Sequence, residues 1–351
     1  MRPEKKLIVL SLSGGWDSAV AAALLRQQGW TVKAVHLRLA GEATASSRLV
    51  ALAQQLGVDL LELDLQEDFS QSVIDYFIRE YQQGRTPNPC VRCNAAIKFG
   101  RLAQIAQQWG IDYLATGHYV RCQPLPNGEP ALWQGVDQFK DQSYFIHRLP
   151  REILPRLIFP LGHLTKTQVL ALGQQLDLAS LVRQPESQEI CFIGQENYVE
   201  FLRSRKPQGL TGVGDIVNRQ GLVLGRHRGL EGFTVGQRRG LGLTAPEPYY
   251  VLEILPESNR LVVGFRDELF SSGLVAEHIN WLIDPPEQPM TALARIRYRH
   301  PGVTCQIKPW SIDQGEVIFS QPQAAVTPGQ AVVFYDRDRL LGGGWIERRI
   351  S

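Results

Sequence analysis

The chain contains 351 residues, of which 44% are hydrophobic, and carries a formal net charge of +2 at pH 7. This length accommodates two or three domains with a sizeable core, and the hydrophobic fraction excludes an intrinsically disordered chain. The small net charge neither favours nor excludes a nucleic-acid partner, and because the sequence has no long apolar run and no secretory leader we expect no membrane contact.

The first predicted element is a strand at Leu7–Leu12, followed by two glycines and a helix from Ala19 to Gln28. Backbone N–H groups and the positive end of a helix macrodipole meet at such a turn, which predicts an anion site suited to phosphate. The turn is not a Walker A loop, because no Gly-Lys-Ser/Thr follows. The alternative is a plain Ser/Gly turn that caps the helix through Ser13 or Asp17.

The glycine turn resembles the pyrophosphate loop of ATP pyrophosphatases, which split ATP into AMP and pyrophosphate. The resemblance implies that nucleotide-binding residues are Ser11, Leu12, Ser13, Gly14, Gly15, Trp16, Asp17 and Ser18.

Strands and helices alternate through the first third of the chain. Further strands are predicted at Thr31–Leu39, Val58–Leu65 and Asp112–Thr116, and glycines that suit helix ends lie at Gly29, Gly57 and Gly110. Repeated β-α-β units predict a parallel sheet with helices on both faces, and ligands of such sheets bind at the carboxyl ends of the strands.

The pattern changes in the second half. Helices are predicted at 165–176 and 197–203, and after Lys206-Pro207 the chain becomes rich in glycine and in short β-like runs. Alternation through Ala292–Arg299 predicts a strand with arginines on one side. We therefore predict an α/β fold with three domains: a catalytic pyrophosphatase domain at 1–206, a small β-rich domain at 207–275 and a C-terminal β barrel at 276–351.

The cysteines carry a second signal. Five cysteines, sparse and odd in number, are typical of a reducing cytoplasm. Cys90 and Cys93 form a Cys-x-x-Cys pair after a proline-rich loop, and Cys191 follows a second polar segment. Because Cys93 lies just before a helix predicted to begin near Asn94, and because arginines lie nearby in sequence, we expect its pKa to be lowered.

Seven sequence blocks, in order along almost the whole chain, resemble those of tRNA-specific 2-thiouridylases. The blocks are 13–18, 86–89 with 93–94, 115–119, 140–145, 190–194, 236–238 with 240–242, and 325–330. The resemblance implies ATP-dependent transfer of sulfur to C2 of the wobble uridine of tRNA. Adenylation turns the carbonyl oxygen into a leaving group, and sulfur delivered by a cysteine displaces AMP.

The same resemblance implies individual roles. Cys191 carries a persulfide from a sulfur-donor protein, Cys93 is its partner nucleophile or disulfide partner, and Asp17 lies near Mg²⁺. Implied nucleotide contacts are Leu37 and Gly117, and implied contacts to the target base are Asn88, Pro89 and Cys90. Implied contacts to the anticodon arm of tRNA are His118, Lys140, Asp141, Gln142, Arg297, Tyr298 and Gln330.

The chain departs from the family pattern at two places. Many members have Asp where this chain has Cys90, so a carboxylate acid–base role does not carry over. Cys90, Cys93 and Cys191 instead form a candidate ligand set for a 4Fe–4S cluster, and the cluster and the cluster-free persulfide routes both stay open. The segment Ala40–Ser47 is also shorter than is usual in the family.

Two other functions compete with this one. An amidotransferase-type synthetase with the same loop adenylates a small acid and needs no pair of reactive cysteines. A non-catalytic tRNA-binding protein uses the loop only to hold nucleotide.

Overall fold

The computed structural model describes residues 6–40, 46–182, 190–193, 197–205 and 209–350. The chain divides into two compact units. The first contains Met1–Val73, Cys90–Phe192 and Arg337–Leu341, and the second contains Ile74–Pro89, Ile193–Asp336 and Gly342–Ser351. Within the described ranges, every helix is too short or too polar to cross a lipid bilayer.

The first unit is built on a five-stranded parallel sheet. From one edge to the other, its strands are Asp59–Asp64, Thr31–Arg38, Leu7–Ser11, Tyr113–Ala115 and Leu157–Ile158. Ile8, Val9 and Leu10 are fully buried, as expected for a central strand covered on both faces. The four strands predicted from the sequence are confirmed, with ends that differ by at most one residue.

Helices cover this sheet. Their bounds are Trp16–Gln27, Ser47–Leu56, Gln66–Phe69, Pro89–Cys93, Gly100–Gln108 and Lys166–Gln175, with π-helical turns at Ser70–Ile74 and Asn94–Phe99 and 3₁₀ turns at Ser143–Ile146 and Arg151–Arg156. The three glycines expected at helix ends have positive φ angles of 84° at Gly29, 63° at Gly57 and 64° at Gly110, which confirms that prediction. Thr165 and Gln168 form a capping box that starts the last helix.

A hairpin of the first unit was not predicted. Val120–Pro124 pairs antiparallel with Pro130–Gln134, and Arg339 from the distant 337–341 segment lies opposite Trp133. Since those five residues lie far away in sequence, no local pattern reveals their membership of this unit.

The second unit contains the helices Asp75–Gln82 and Tyr198–Arg205, with 3₁₀ turns at Leu230–Gly232 and Arg266–Leu269. A four-stranded sheet has the order Tyr250–Leu255, Arg260–Gly264, Gly214–Val217, Val223–His227. Its core includes the buried side chains of Ile216, Val251, Leu261 and Val263. The predicted change to β structure after Lys206-Pro207 is confirmed, while that dipeptide itself lies outside the described residues.

The C-terminal part forms an antiparallel barrel, as predicted. Its strands are Phe270–Trp281, Met290–Arg295, Val303–Pro309, Gly315–Ala324, Ala331–Asp336 and Arg339–Ile350. The first and last of these pair and close the barrel. The predicted strand through Arg299 is wrong at its end: it stops at Arg295, and the chain turns where the His300 amide donates to the Arg297 carbonyl over 3.0 Å.

Candidate active site

The glycine loop links the central strand to the first helix. Gly14 has a φ of 76°, a conformation that suits glycine. The Ser18 hydroxyl donates to the Gly15 carbonyl over 3.0 Å and accepts from the Ser13 amide over 3.2 Å. The N-cap is Gly15 and has no side-chain capping bond, so the alternative in which Ser13 or Asp17 caps the helix is wrong. The turn presents the positive end of a 12-residue helix at the carboxyl edge of the sheet.

Two neighbouring strands support the loop at this edge. Leu37 lies near the end of the adjacent strand and is nearly buried. Gly117 follows the strand on the other side, and a Cβ there would lie 2.9 Å from the Asp17 carbonyl carbon and 2.9 Å from the Ser18 nitrogen. The structure therefore brings Gly117 directly against the loop, and only glycine fits without displacing the backbone.

Trp16, one of the residues for which the resemblance implies nucleotide binding, packs into the protein. It is 7% exposed, and its indole lies against Gly173 of the last helix, where a Cβ would be 2.9 Å from the ring. Trp16 thus fixes the loop helix against its neighbour and does not present its ring to a ligand in this arrangement.

The Asp17 carboxylate is held by two partners that sequence reasoning missed. Lys166 Nζ lies 2.7 Å from Asp17 Oδ1, and the Tyr119 hydroxyl donates to the same oxygen over 2.7 Å. Lys166 is the first residue of its helix, so the capping box at Thr165 sets its direction. The capping box is visible in the sequence and identifies the start of the helix. It does not reveal that the side chain of Lys166 contacts Asp17.

The charges at this edge fit a magnesium–nucleotide complex. Mg²⁺ keeps several water ligands and takes one or two carboxylates together with substrate phosphates. Asp17 supplies one carboxylate at the helix N-terminus, and Lys166 supplies a cation beside it. ATP would therefore be held by Asp17, Lys166 and the loop amides.

Cys90, Cys93 and Cys191 all lie in the first unit. Burial is the largest cause that raises the pKa of each thiol, and a charge on Cys191 adds to it at Cys90 and Cys93, although Cys191 is far away in sequence. Lys98 opposes this effect at all three cysteines. Cys90 and Cys191 reach the surface while Cys93 is buried, and all three are free thiols.

The expected lowering of the Cys93 pKa is wrong. Burial raises the pKa of Cys93 to about 12. Cys93 ends one helix and continues directly into the π-helical turn Asn94–Phe99, so no helix N-terminus is available to stabilise its thiolate. The nearby arginines are engaged elsewhere: Arg92 donates to the Ser72 carbonyl over 3.4 Å, and Arg85 pairs with Glu80 and Glu277.

The candidate ligand set for an iron–sulfur cluster, Cys90, Cys93 and Cys191, does not form a site for a single metal ion in the described part of the chain. Among the described residues, no three His, Cys, Asp or Glu side chains lie in positions that could hold one metal ion. Partial desolvation also raises the pKa of the surface thiols Cys90 and Cys191, which favours their neutral forms over the thiolates that iron requires.

Several residues expected at tRNA contacts form hydrogen bonds within the protein. His118 is buried, bonds Thr116 Oγ1 over 2.7 Å through Nδ1, and has a pKa lowered by burial to about 3. Asp141 is 2% exposed and accepts from the amides of Gly135 and Ser143. Gln142 Oε1 accepts from the Tyr119 amide over 2.9 Å. Because the His118 imidazole is neutral and buried and the Asp141 carboxylate already accepts hydrogen bonds from the protein, both residues would act on a ligand by positioning other groups.

The remaining predicted contacts belong to the second unit. Gln330 Nε2 donates to the carbonyls of Thr86 and Pro87 over 2.9 and 3.2 Å, so Gln330 braces the loop that leads to Asn88 and Pro89. Arg297 is exposed in its turn and donates to the Ala324 carbonyl over 3.4 Å, and Tyr298 is half-buried beside it.

A glycine loop between a central parallel strand and a helix, with a carboxylate and a lysine at its mouth, defines a nucleotide-binding α/β protein. Family models match 6–195 as a tRNA methyl transferase HUP domain, 200–265 as a tRNA methyl transferase PRC-barrel domain and 271–346 as an aminomethyltransferase beta-barrel domain. The chain belongs to the family of tRNA-specific 2-thiouridylases, since full-length proteins of that name are more than 40% identical to it.

Two relatives illustrate this similarity. The tRNA-specific 2-thiouridylase MnmA of Geotalea uraniireducens strain Rf4 is 43% identical over 99% of this chain and 96% of that protein. The protein of the same name from Syntrophotalea carbinolica strain DSM 2380 is 44% identical over 99% of this chain and 100% of that protein. A 4-thiouridine synthetase solved with RNA and ATP overlaps 58% of this chain and 51% of its own at a TM-score of 0.36 and 16% identity, a likeness too low to support an inference.

Proposed function

We propose that this protein transfers sulfur to C2 of the wobble uridine of tRNA in an ATP-dependent reaction. The observation that carries the proposal is that the free thiols of Cys93 and Cys191, distant in sequence, belong to the compact unit that also holds the pyrophosphate loop. Membership of the 2-thiouridylase family supports the same conclusion.

The first step is activation of the base. A uracil carbonyl is a weak electrophile, so its oxygen attacks the α-phosphorus of ATP, and pyrophosphate leaves with the electron pair of the broken P–O bond. The loop amides and Lys166 bear the charge of the phosphates, and Asp17 is the carboxylate for Mg²⁺. Asp17 would hold the metal, which would offset the phosphate charge, and the Lys166 ammonium beside it would bind a phosphate oxygen.

The second step is sulfur transfer. A sulfur-donor protein loads a persulfide on Cys191, whose exposure allows delivery. The outer sulfur attacks C2, and AMP leaves with the C2–O electrons. Cys93 then attacks the Cys191 sulfur, which releases the thiolated base and forms a disulfide between the two cysteines, and a thiol reductant restores both. Cys90, which stands where relatives often have Asp, supplies a third thiol in the unit that contains Cys93 and Cys191.

The Cys93 thiol is protonated at neutral pH, because burial raises its pKa. Sulfur release therefore needs a proton acceptor or a rearrangement that hydrates Cys93, and this requirement prevents premature attack on the persulfide. Lys98 is the cation that favours the thiolate when that happens.

The RNA partner is the anticodon arm of tRNA, for which the family resemblance implies Lys140, Asn88, Arg297 and Tyr298 as contacts. Free cysteines and a tRNA substrate indicate a cytoplasmic location. The three-domain division at 206/207 and 275/276 is part of this proposal, with the chemistry in the N-terminal domain.

A reconstituted reaction tests the proposal. The protein is incubated with ATP, Mg²⁺, a persulfide donor and an unmodified tRNA transcript that has a wobble uridine, and 2-thiouridine, AMP and pyrophosphate are measured together. We expect all three products in equal amounts. An amidotransferase-type synthetase would release AMP only with a small acid, and a non-catalytic binding protein would release none.

A further inference from the structure

Phe139 is the most exposed large hydrophobic side chain of the described residues. It is 95% exposed, and Ile312, the next, is 71% exposed. An isolated surface leucine or valine needs no explanation, but a phenylalanine that contacts almost nothing exposes a large apolar ring to water. The Phe139 side chain contributes little to packing within the protein, which favours a role in binding another molecule.

The turn that carries Phe139 is rigid. Asp137 begins it: its carbonyl accepts from the Lys140 amide over 3.1 Å, and its Oδ1 accepts from the Phe139 amide over 3.1 Å. Immediately after the turn, the buried Asp141 accepts from Gly135 and Ser143. The ring is therefore presented in a fixed backbone geometry, and a ligand would order little of the chain when it binds.

The same turn is bonded to the nucleotide site. The second oxygen of Asp137 accepts from the Lys166 amide over 2.9 Å, and the Lys166 ammonium reaches Asp17 over 2.7 Å. Two residues thus join the Phe139 turn to the pyrophosphate loop within one compact unit. Hydrogen bonds through Asp137 and Lys166 therefore connect the turn that carries Phe139 to the loop that would hold the ATP phosphates.

We propose that Phe139 is a stacking platform for an unpaired nucleobase of the RNA substrate, next to the base that reacts. The inference rests on the proposed function, since it takes the substrate to be tRNA. Unpaired loop bases present flat faces that stack on aromatic side chains, and the ammonium of Lys140, next in the chain, suits the phosphate of that nucleotide. Stacking beside the reacting uridine keeps the loop open and orients its neighbour.

The test uses the full-length protein and an anticodon stem–loop RNA with a wobble uridine. Base stacking contributes about 1–3 kcal/mol per base, so Phe139→Ala should weaken RNA binding about tenfold. Phe139→Leu, which keeps an apolar side chain without a ring, should weaken binding by a similar factor, whereas Phe139→Trp should bind within about twofold of wild type. The slope of log Kd against log salt should be the same in all variants, because no charge is removed.

Two controls separate the possible failures. Ile312→Ala removes another highly exposed apolar side chain and should bind RNA as wild type does. A 2-aminopurine placed beside the wobble uridine should lose fluorescence with wild type and keep it with Phe139→Ala. If wild type thiolates tRNA while Phe139→Ala or Phe139→Leu binds within twofold of it, stacking is overturned and the proposed function stands. If wild type neither binds nor thiolates tRNA, the proposed function is what fails.

Discussion

The pyrophosphate loop and the thiols of Cys90, Cys93 and Cys191 belong to the same unit, but the loop is preorganised for its ligand and the thiols are not in their reactive form. The loop is preorganised: glycine φ angles, bonds among Ser13, Gly15 and Ser18, and contact with Gly117 fix its backbone. The thiols are protonated, because desolvation raises the pKa of each. The comparison teaches that nucleotide binding needs little rearrangement, whereas sulfur transfer needs a change around Cys93.

The largest expected effect separates the two regions. Cys191→Ser removes the sulfur carrier and should lower 2-thiouridine formation by about 10⁴-fold or more, as loss of a nucleophile does. ATP binding should stay within about twofold, since the loop is untouched. The matched control is Cys122→Ser, which removes a half-buried thiol of the same unit and should keep full activity. Sulfur transfer by Cys191→Ser would disprove the persulfide assignment.

The second test measures whether the Cys93 thiol is protonated, as its raised pKa predicts. A thiol with a pKa of about 12 is less than one part in 10³ thiolate at pH 8, so iodoacetamide should alkylate Cys93 about a thousandfold more slowly than an ordinary thiol. Because the pKa is raised, the rate should keep increasing about tenfold per pH unit from pH 7 to pH 10. Site-resolved mass spectrometry measures this rate, and a plateau below pH 9 would contradict the raised pKa.

Gly117→Ala should weaken ATP binding without affecting the thiols. The new methyl group would lie 2.9 Å from the Asp17 and Ser18 backbone, so the loop must shift. We expect the KM for ATP to rise about tenfold to a hundredfold, a loss of about 1–3 kcal/mol typical of overpacking. Alkylation of the thiols should not change. Gly212→Ala, whose Cβ would meet nothing within 4 Å, is the control. An unchanged KM would show that the loop adapts.

Lys166→Gln tests the cation at the loop. Loss of a partly buried charge that faces phosphate should lower kcat/KM for ATP about tenfold or more, and Lys166→Arg should recover part of it. Pyrophosphate release at varied ATP concentrations measures the effect. Lys33→Gln removes an ammonium of the same unit that lies 5.1 Å over the Trp109 ring and serves as the control. Equal activity of Lys166→Gln and wild type would remove Lys166 from nucleotide binding.

The smallest effect concerns the helix start that directs Lys166. Thr165→Ala removes the capping box and should lower the free energy of unfolding by about 1 kcal/mol, with only a small increase in the KM for ATP. Thr165→Ser keeps the hydroxyl and should restore the stability. Urea denaturation measures both variants, and an unchanged midpoint for Thr165→Ala would show that the cap contributes nothing.

Local patterns predicted the pyrophosphate loop well, because its function follows from backbone geometry that glycines specify. They placed Cys93 on the correct segment but gave its pKa the wrong direction. A pKa depends on burial and on the continuity of Pro89–Cys93 with the following π turn, and neither is visible in the spacing of cysteines. For the same reason, sequence reasoning could not decide that His118 and Asp141 would be internal.

The sequence by itself determined the alternation of strands and helices, the glycine loop, the β-rich second half and the family. The first three depend on residues that are close together in the chain, and the family follows from the order of the motifs. Only the tertiary structure decided which distant groups belong together: Lys166 pairs with Asp17, Cys191 lies in the same unit as Cys93, and residues 337–341 join the first unit. The physical reason is that charge pairing and desolvation depend on distances through space, which the order of residues along the chain does not specify.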